Sequence, residues 1–119
     1  MLCEGCKDLI VTIVRKGWAD RVIQASREAG AEGGTILMGR GTGIHEMSSF
    51  LGIPIEPEKE IVMTIVEPEQ TEQVLNAIDR SVELHEPGRG IAFVINLPRV
   101  AGRVHMTCKP GDEDHVKKD

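Results

Sequence analysis

Two short runs of the chain pair glycine with arginine: Gly39-Arg40-Gly41 and Gly88-Arg89-Gly90. The first belongs to a stretch, Gly30 to Gly43, that holds six of the thirteen glycines within fourteen residues. Glycine lets the backbone adopt φ > 0 and approach another group closely, at an entropic cost on folding. Exposed backbone N–H groups beside guanidinium forks are what phosphates bind. The two runs therefore read as halves of a composite anion site in which Arg40 or Arg89 supplies the charged fork. The competing reading is two strand-end turns whose arginines only keep the surface soluble. A second constellation is Cys3-x-x-Cys6 with His105-x-x-Cys108, three thiols and an imidazole of the kind that structural zinc uses. Its competing reading is unpaired surface thiols. Among His45, His85, His105 and His115 no Ser-His-Asp or Cys-His nucleophile arrangement can be placed. No catalytic residue is assigned, and the chain reads as non-enzymatic.

The elements that must carry these residues follow from periodicity. Asp8 to Val14 is a β-branched apolar run and predicts a strand buried on both faces. Ala19 to Ala29 places Ala19, Val22, Ile23, Ser26 and Ala29 at helical spacing, and Gly30 stops that helix. Thr35 to Met38 predicts a second strand that runs into Gly39-Arg40-Gly41, and Glu60 to Val66 a third. Pro68 starts a second helix whose apolar face is Val74, Leu75, Ile78 and Val82. Ile91 to Leu97 is a fourth strand, and Val100 to Met106 a candidate fifth. Thr42 to Glu58 keeps neither period, and connections of that length are usually functional or disordered. Lys109 to Asp119 is polar, and the chain divides into a folded domain, 1–106, and a flexible tail, 107–119. The order β-α-β-loop-β-α-β predicts an α+β split βαβ sandwich of the ferredoxin-like class.

Composition excludes several functions. The chain has 119 residues, 40% of them hydrophobic, enough for one domain with a core of Val, Ile, Leu, Ala and Met. A net charge of −5 and only 3% aromatic residues argue against nucleic-acid binding, which uses basic surfaces and stacking platforms. No apolar run approaches the about 18 residues of a membrane span, and no signal-peptide pattern is present. Three Cys make an unlikely disulfide framework, so the expected compartment is the cytoplasm.

The run GWADRVIQASREAGAEGGTILMGRGTG, the seventeen-residue stretch after it, and then EPGRGIAFV resemble the PII family of nitrogen-regulatory signal-transduction proteins and their PII-like relatives, over roughly Asp8 to Val104. The resemblance implies a homotrimer with adenine-nucleotide sites (ATP, ADP or AMP) in the clefts between subunits. It also implies a protruding T-loop, here Thr42 to Glu58, that engages a partner enzyme or transporter. The family's B-loop corresponds to Glu86 to Gly90 and its C-loop to Pro98 to Arg103. The nucleotide residues it implies are Thr35, Gly39, Arg40, Gly41, Lys59, Gly88, Arg89, Gly90, Arg99 and Arg103. The T-loop residues Ile44, His45, Phe50, Leu51 and Ile53 are the candidate partner surface, exposed apolar groups being a mark of such sites.

Departures from the family pattern are visible. Its B-loop reads Gly-Asp-Gly-Lys, whereas this chain has Gly88-Arg89-Gly90-Ile91, so the cation has moved two positions. Gly43 stands where the family has a glutamine that helps to bind Mg²⁺ and 2-oxoglutarate. The chain has no Tyr to modify, and Ser48 and Ser49 are the hydroxyls left in the loop. The expected function is sensing of an adenine nucleotide, with Mg²⁺ and Zn²⁺ as candidate ions. The rivals are slow nucleotide hydrolysis, with Glu60 as a candidate carboxylate, and a CutA-like structural or metal-binding trimer.

Overall fold

The structure, a computed structural model, describes residues 2–42, 49–54 and 57–102, with backbone alone at 2–6, 49 and 54. Strand β1 (Leu2–Arg15) is followed by helix α1 (Ala19–Glu28) and β2 (Thr35–Arg40). A short hairpin of β3 (Ser49–Phe50) and β4 (Ile53–Pro54) comes next, then β5 (Glu58–Val66), α2 (Pro68–Val82) and β6 (Gly90–Ala101). The main sheet has the order β2-β5-β1-β6, with every neighbouring pair antiparallel. Each βαβ half thus leaves room for a strand of the other half, which is the split βαβ, ferredoxin-like arrangement.

The helices cover one face of this sheet. Ile10, Val14, Val62 and Val66 meet Ala19 and Val22 of α1 and Val74, Ile78 and Val82 of α2, all of them buried. Helix ends follow local chemistry. Gly30, at φ +117°, ends α1 in a Schellman geometry: its N–H donates to the Arg27 carbonyl and that of Ala31 to the Ser26 carbonyl. Glu67 and Gln70 form a capping box at the start of α2, with Pro68 in the first turn. No helix among the described residues is long and apolar enough to cross a membrane.

β2 and β5 each exceed the apolar pattern by two residues, and two strands exceed it by far more. β1 begins at Leu2 rather than Asp8, and a bulge between Glu4 and Lys7 absorbs Gly5 and Cys6. β6 runs unbroken from Gly90 to Ala101, so residues 98–101 are strand and not a C-loop, and Val100 extends the fourth strand instead of opening a fifth. The two departures share a cause. Pro98 cannot donate to the ladder, and it faces the bulge, on an edge strand where a missing N–H is tolerated.

A buried polar clamp holds the start of β1. Asp8 accepts hydrogen bonds from Thr71 Oγ1 of α2 at 2.6 Å and from Asn96 Nδ2 of β6 at 2.7 Å. The buried Lys7 Nζ lies 3.7 Å from Glu67 Oε1. Hydrogen bonds to a charged group contribute about 1.5–3 kcal/mol each when buried partners depend on them. Asp8→Ala should therefore lower the unfolding free energy by about 2–3 kcal/mol in urea titration, removing the acceptor that Thr71 and Asn96 share; an unchanged midpoint would show that the clamp adds nothing.

Candidate functional site

The antiparallel order brings the end of β1, the end of β2, the start of β5 and the start of β6 to one end of the sheet. In register, Gly39 faces Lys59 and Lys59 faces Arg15, while Arg40 faces Glu58 and Val14 faces Gly90. Both glycine–arginine runs are therefore at the same end of one chain. They stand on opposite edges, three strand spacings or about 14 Å apart. A shallow open cleft at the β2 edge is lined by Met38, Gly39, Arg40 and Glu58.

The β6 edge is shaped by two glycines. Gly88 has φ +77° and Gly90 φ +137°, both conformations that side chains rarely adopt. A Cβ on Gly90 would collide with the Ile13 carbonyl oxygen, and one on Gly88 would stand 2.8 Å from Arg15 Nη2. Between them Arg89 is engaged: its guanidinium stacks 4.9 Å from the Trp18 ring centroid and lies 3.7 Å from Glu83. Arg21 covers the same ring at 5.0 Å, so the half-buried indole lies within reach of two cations. Trp18 has no oxygen with which to cap α1. Glu60 of β5 takes that role, its Oε1 accepting from the N–H of Gly17 at 2.7 Å and of Ala19 at 3.0 Å. Beside it, exposed Lys16 pairs with Glu58 at 2.9 Å, and that hydrogen bond and charge raise the lysine pKa above its ordinary value.

Other expected residues lie elsewhere. Thr35 pairs with Met63 in the middle of the sheet. Arg99 pairs with Glu4 near the far end of β6, about 30 Å of strand from Gly90. Within one chain neither joins the glycine loops. Arg103, Ile44 and His45 fall outside the described residues, as do Gly43 and Ser48. So do His105 and Cys108, and Cys3 and Cys6 are described only as backbone of β1. Within the stretch Thr42 to Glu58, the β3–β4 hairpin turns through Leu51 at φ +53° and Gly52 at φ +81°, a two-residue turn with φ positive at both positions. Phe50, Leu51 and Ile53 on it are 55%, 86% and 65% exposed.

Two features were missed by the sequence reading. Arg15 reaches the Gly88 loop from β1, and the face of the sheet away from the helices is apolar. Ile91, Phe93 and Ile95 are 56%, 39% and 45% exposed on it, beside Leu9, Val11, Ile13, Ile61 and Met63. The available signal was the unbroken apolar run from Asp8 to Val14, which reads as a strand buried on both faces; the structure buries Ile10, Thr12 and Val14 but leaves Leu9, Val11 and Ile13 half-buried.

A family model described as "Nitrogen regulatory protein P-II" matches residues 7–103. Among solved structures, the crystal structure of Arabidopsis thaliana PII bound to citrate is similar, with a TM-score of 0.59 and 25% sequence identity. The likeness covers 76% of this chain and 77% of that one. No curated protein sequence matches the chain.

The two glycine runs should respond differently to a methyl group. Gly90→Ala should destabilise the fold by about 2–3 kcal/mol through the Ile13 clash and the strained φ. Gly41→Ala, with open space around it, should change the melting temperature little. Equal effects would refute this account of the B-loop glycine.

Proposed function

This chain belongs to the nitrogen regulatory protein P-II family, and we propose that it is a trimeric sensor of an adenine nucleotide. As a PII-like regulatory protein it works by ligand-dependent signalling. The finer reading is that ATP, ADP or AMP binds between subunits and changes the T-loop, which then alters the activity of a partner enzyme or transporter.

The observation that carries this reading is one juxtaposition. A B-loop with two glycines at positive φ opens at the end of an apolar sheet face that no described helix covers. An antiparallel sheet normally leaves a polar face to water. An apolar one of this extent supports association with further copies, which buries it and places the loop at a subunit boundary. Across such a boundary, Thr35, Arg40 and Arg99 of one subunit can reach the B-loop of the next although they do not reach their own. The exposed Phe50, Leu51 and Ile53 support the T-loop as the partner surface, and binding that orders a segment is a common way to switch one. The hydrolase reading loses its carboxylate, because Glu60 is committed to the end of α1.

Calorimetry with ATP, ADP, AMP and 2-oxoglutarate, with and without Mg²⁺, tests the reading, alongside product analysis and the mass in solution. Nucleotide binding without turnover by a species of three chains is expected. A monomer, or a trimer that takes no nucleotide, would sink it.

A structural zinc on Cys3, Cys6, His105 and Cys108 is a separate proposal that rests on the sequence spacing alone: untagged protein should contain zinc in proportion to chains, and substoichiometric metal would end that idea.

A further inference from the structure

We infer that Trp18 is a seat that withholds Arg89 until an anionic ligand takes the guanidinium from it, so that the loop between α2 and β6 is a latch closed onto helix α1. The inference rests on the nucleotide reading above and adds to it the step by which binding moves the loop. The ligand class is the polyphosphate of a nucleotide.

The backbone of this loop has one fixed end and one pivot. Left-handed conformations occur at Glu83, φ +51°, at Gly88, φ +77°, and at Gly90, φ +137°. Gly90 is fixed, because it faces Val14 in register and leaves no room for a Cβ against the Ile13 carbonyl. Gly88 is not held in that way: only the guanidinium of Arg15 stands within 4 Å of where its Cβ would be. Glycine takes φ of either sign about as readily, so the chain ahead of Arg89 can turn there. The Arg89 N–H donates to the Glu86 carbonyl at 3.3 Å, a long hydrogen bond. What keeps Arg89 in place is its side chain.

That side chain rests on two modest contacts. Its guanidinium lies 4.9 Å from the Trp18 ring centroid, on a half-buried indole. It lies 3.7 Å from the Glu83 carboxylate, itself 55% exposed, and an ion pair of that kind contributes little. Arg21 covers the same ring at 5.0 Å, so two like charges share one indole and repel each other. A phosphate offers two parallel charge-assisted hydrogen bonds, stronger than either contact. The exchange therefore favours the anion, and it leaves Arg21 alone on the ring. The seat itself stays put: Trp18 is the N-cap residue of α1, and Glu60 holds that end of the helix to β5 through Gly17 and Ala19.

The chain has one Trp and no Tyr, so indole emission reports this seat alone. ATP titration of the full chain, followed by calorimetry and by emission, tests the latch. ATP should shift the Trp18 emission to longer wavelength with the affinity that calorimetry gives. Trp18→Leu releases Arg89 and should bind ATP about two- to fivefold more tightly than the parent, the weight of one exposed cation–π contact. Glu83→Gln should also gain affinity. Arg89→Met should bind more weakly, show no emission shift, and gain nothing when either change is added to it. Calorimetric binding with unchanged emission would overturn the latch and leave the sensor reading standing. So would parental or weaker affinity in a folded Trp18→Leu. If that variant lost its cooperative melting transition, parental or weaker affinity in Glu83→Gln would overturn it instead. A parent that bound no ATP would end the sensor reading and the latch together.

Discussion

β1 forms hydrogen-bonded ladders on both of its edges, with β5 from Asp8 to Arg15 and with β6 from Leu2 to Val14. That double ladder is the constraint on which the rest depends. A slip of one residue would turn Ile10, Thr12 and Val14 from the helix side to the open side and break the core. It would also part Arg15 from both Lys59 and Gly88, and Glu60 from the start of α1. The register is held at one end by Asp8, which links β1 to α2 and β6 through Thr71 and Asn96. At the other end it is held by Gly90, whose close approach to the Ile13 carbonyl admits no side chain.

The functional end of the sheet is built from shared parts. The Glu60 carboxylate sits on β5 yet completes α1, so helix and sheet cannot shift independently there. Trp18, at the N-cap of that helix, is the surface on which Arg89 rests. The B-loop is thereby tied to α1 through an indole and to the α2 end through Glu83. The β3–β4 hairpin, by contrast, exposes Phe50, Leu51 and Ile53 and spends a left-handed Leu51 on its turn, a conformation that costs about 1–2 kcal/mol.

Much of the fold was legible in the residues. Val, Ile and Thr runs marked the strands, helical spacing marked Val22 and Ser26 or Val74 and Ile78, and Gly30 and Pro68 marked helix ends. The breaks were less legible. Pro98 reads as a strand end, yet a bulge on the neighbouring strand removes the need for its N–H, and only pairing reveals that. Cys3 and Glu4 carry no strand pattern of their own, and only their pairing with Val100 and Arg99 of β6 shows that β1 begins before Asp8. In the site, the glycines were recognisable from their clustering beside arginines. The sequence reads Arg89 as a phosphate fork, but one-dimensional spacing does not show that the guanidinium rests on Trp18. The reach of Arg15 and the helix-closing role of Glu60, which the sequence offered only as a candidate catalytic carboxylate, escaped for the same reason, since each acts on a segment far away in the chain.

What the sequence determined by itself was the kind and order of the elements, the family, and which loops need glycine. These follow from local sterics, periodicity and motif spacing, all of which are properties of neighbouring residues. The tertiary structure alone decided that Arg15 lies beside the Gly88 turn, which carboxylate closes the first helix, and which sheet face is left apolar and open. Those outcomes depend on strand order and register, which join residues some forty to ninety positions apart, such as Gly17 with Glu60 and Asp8 with Asn96.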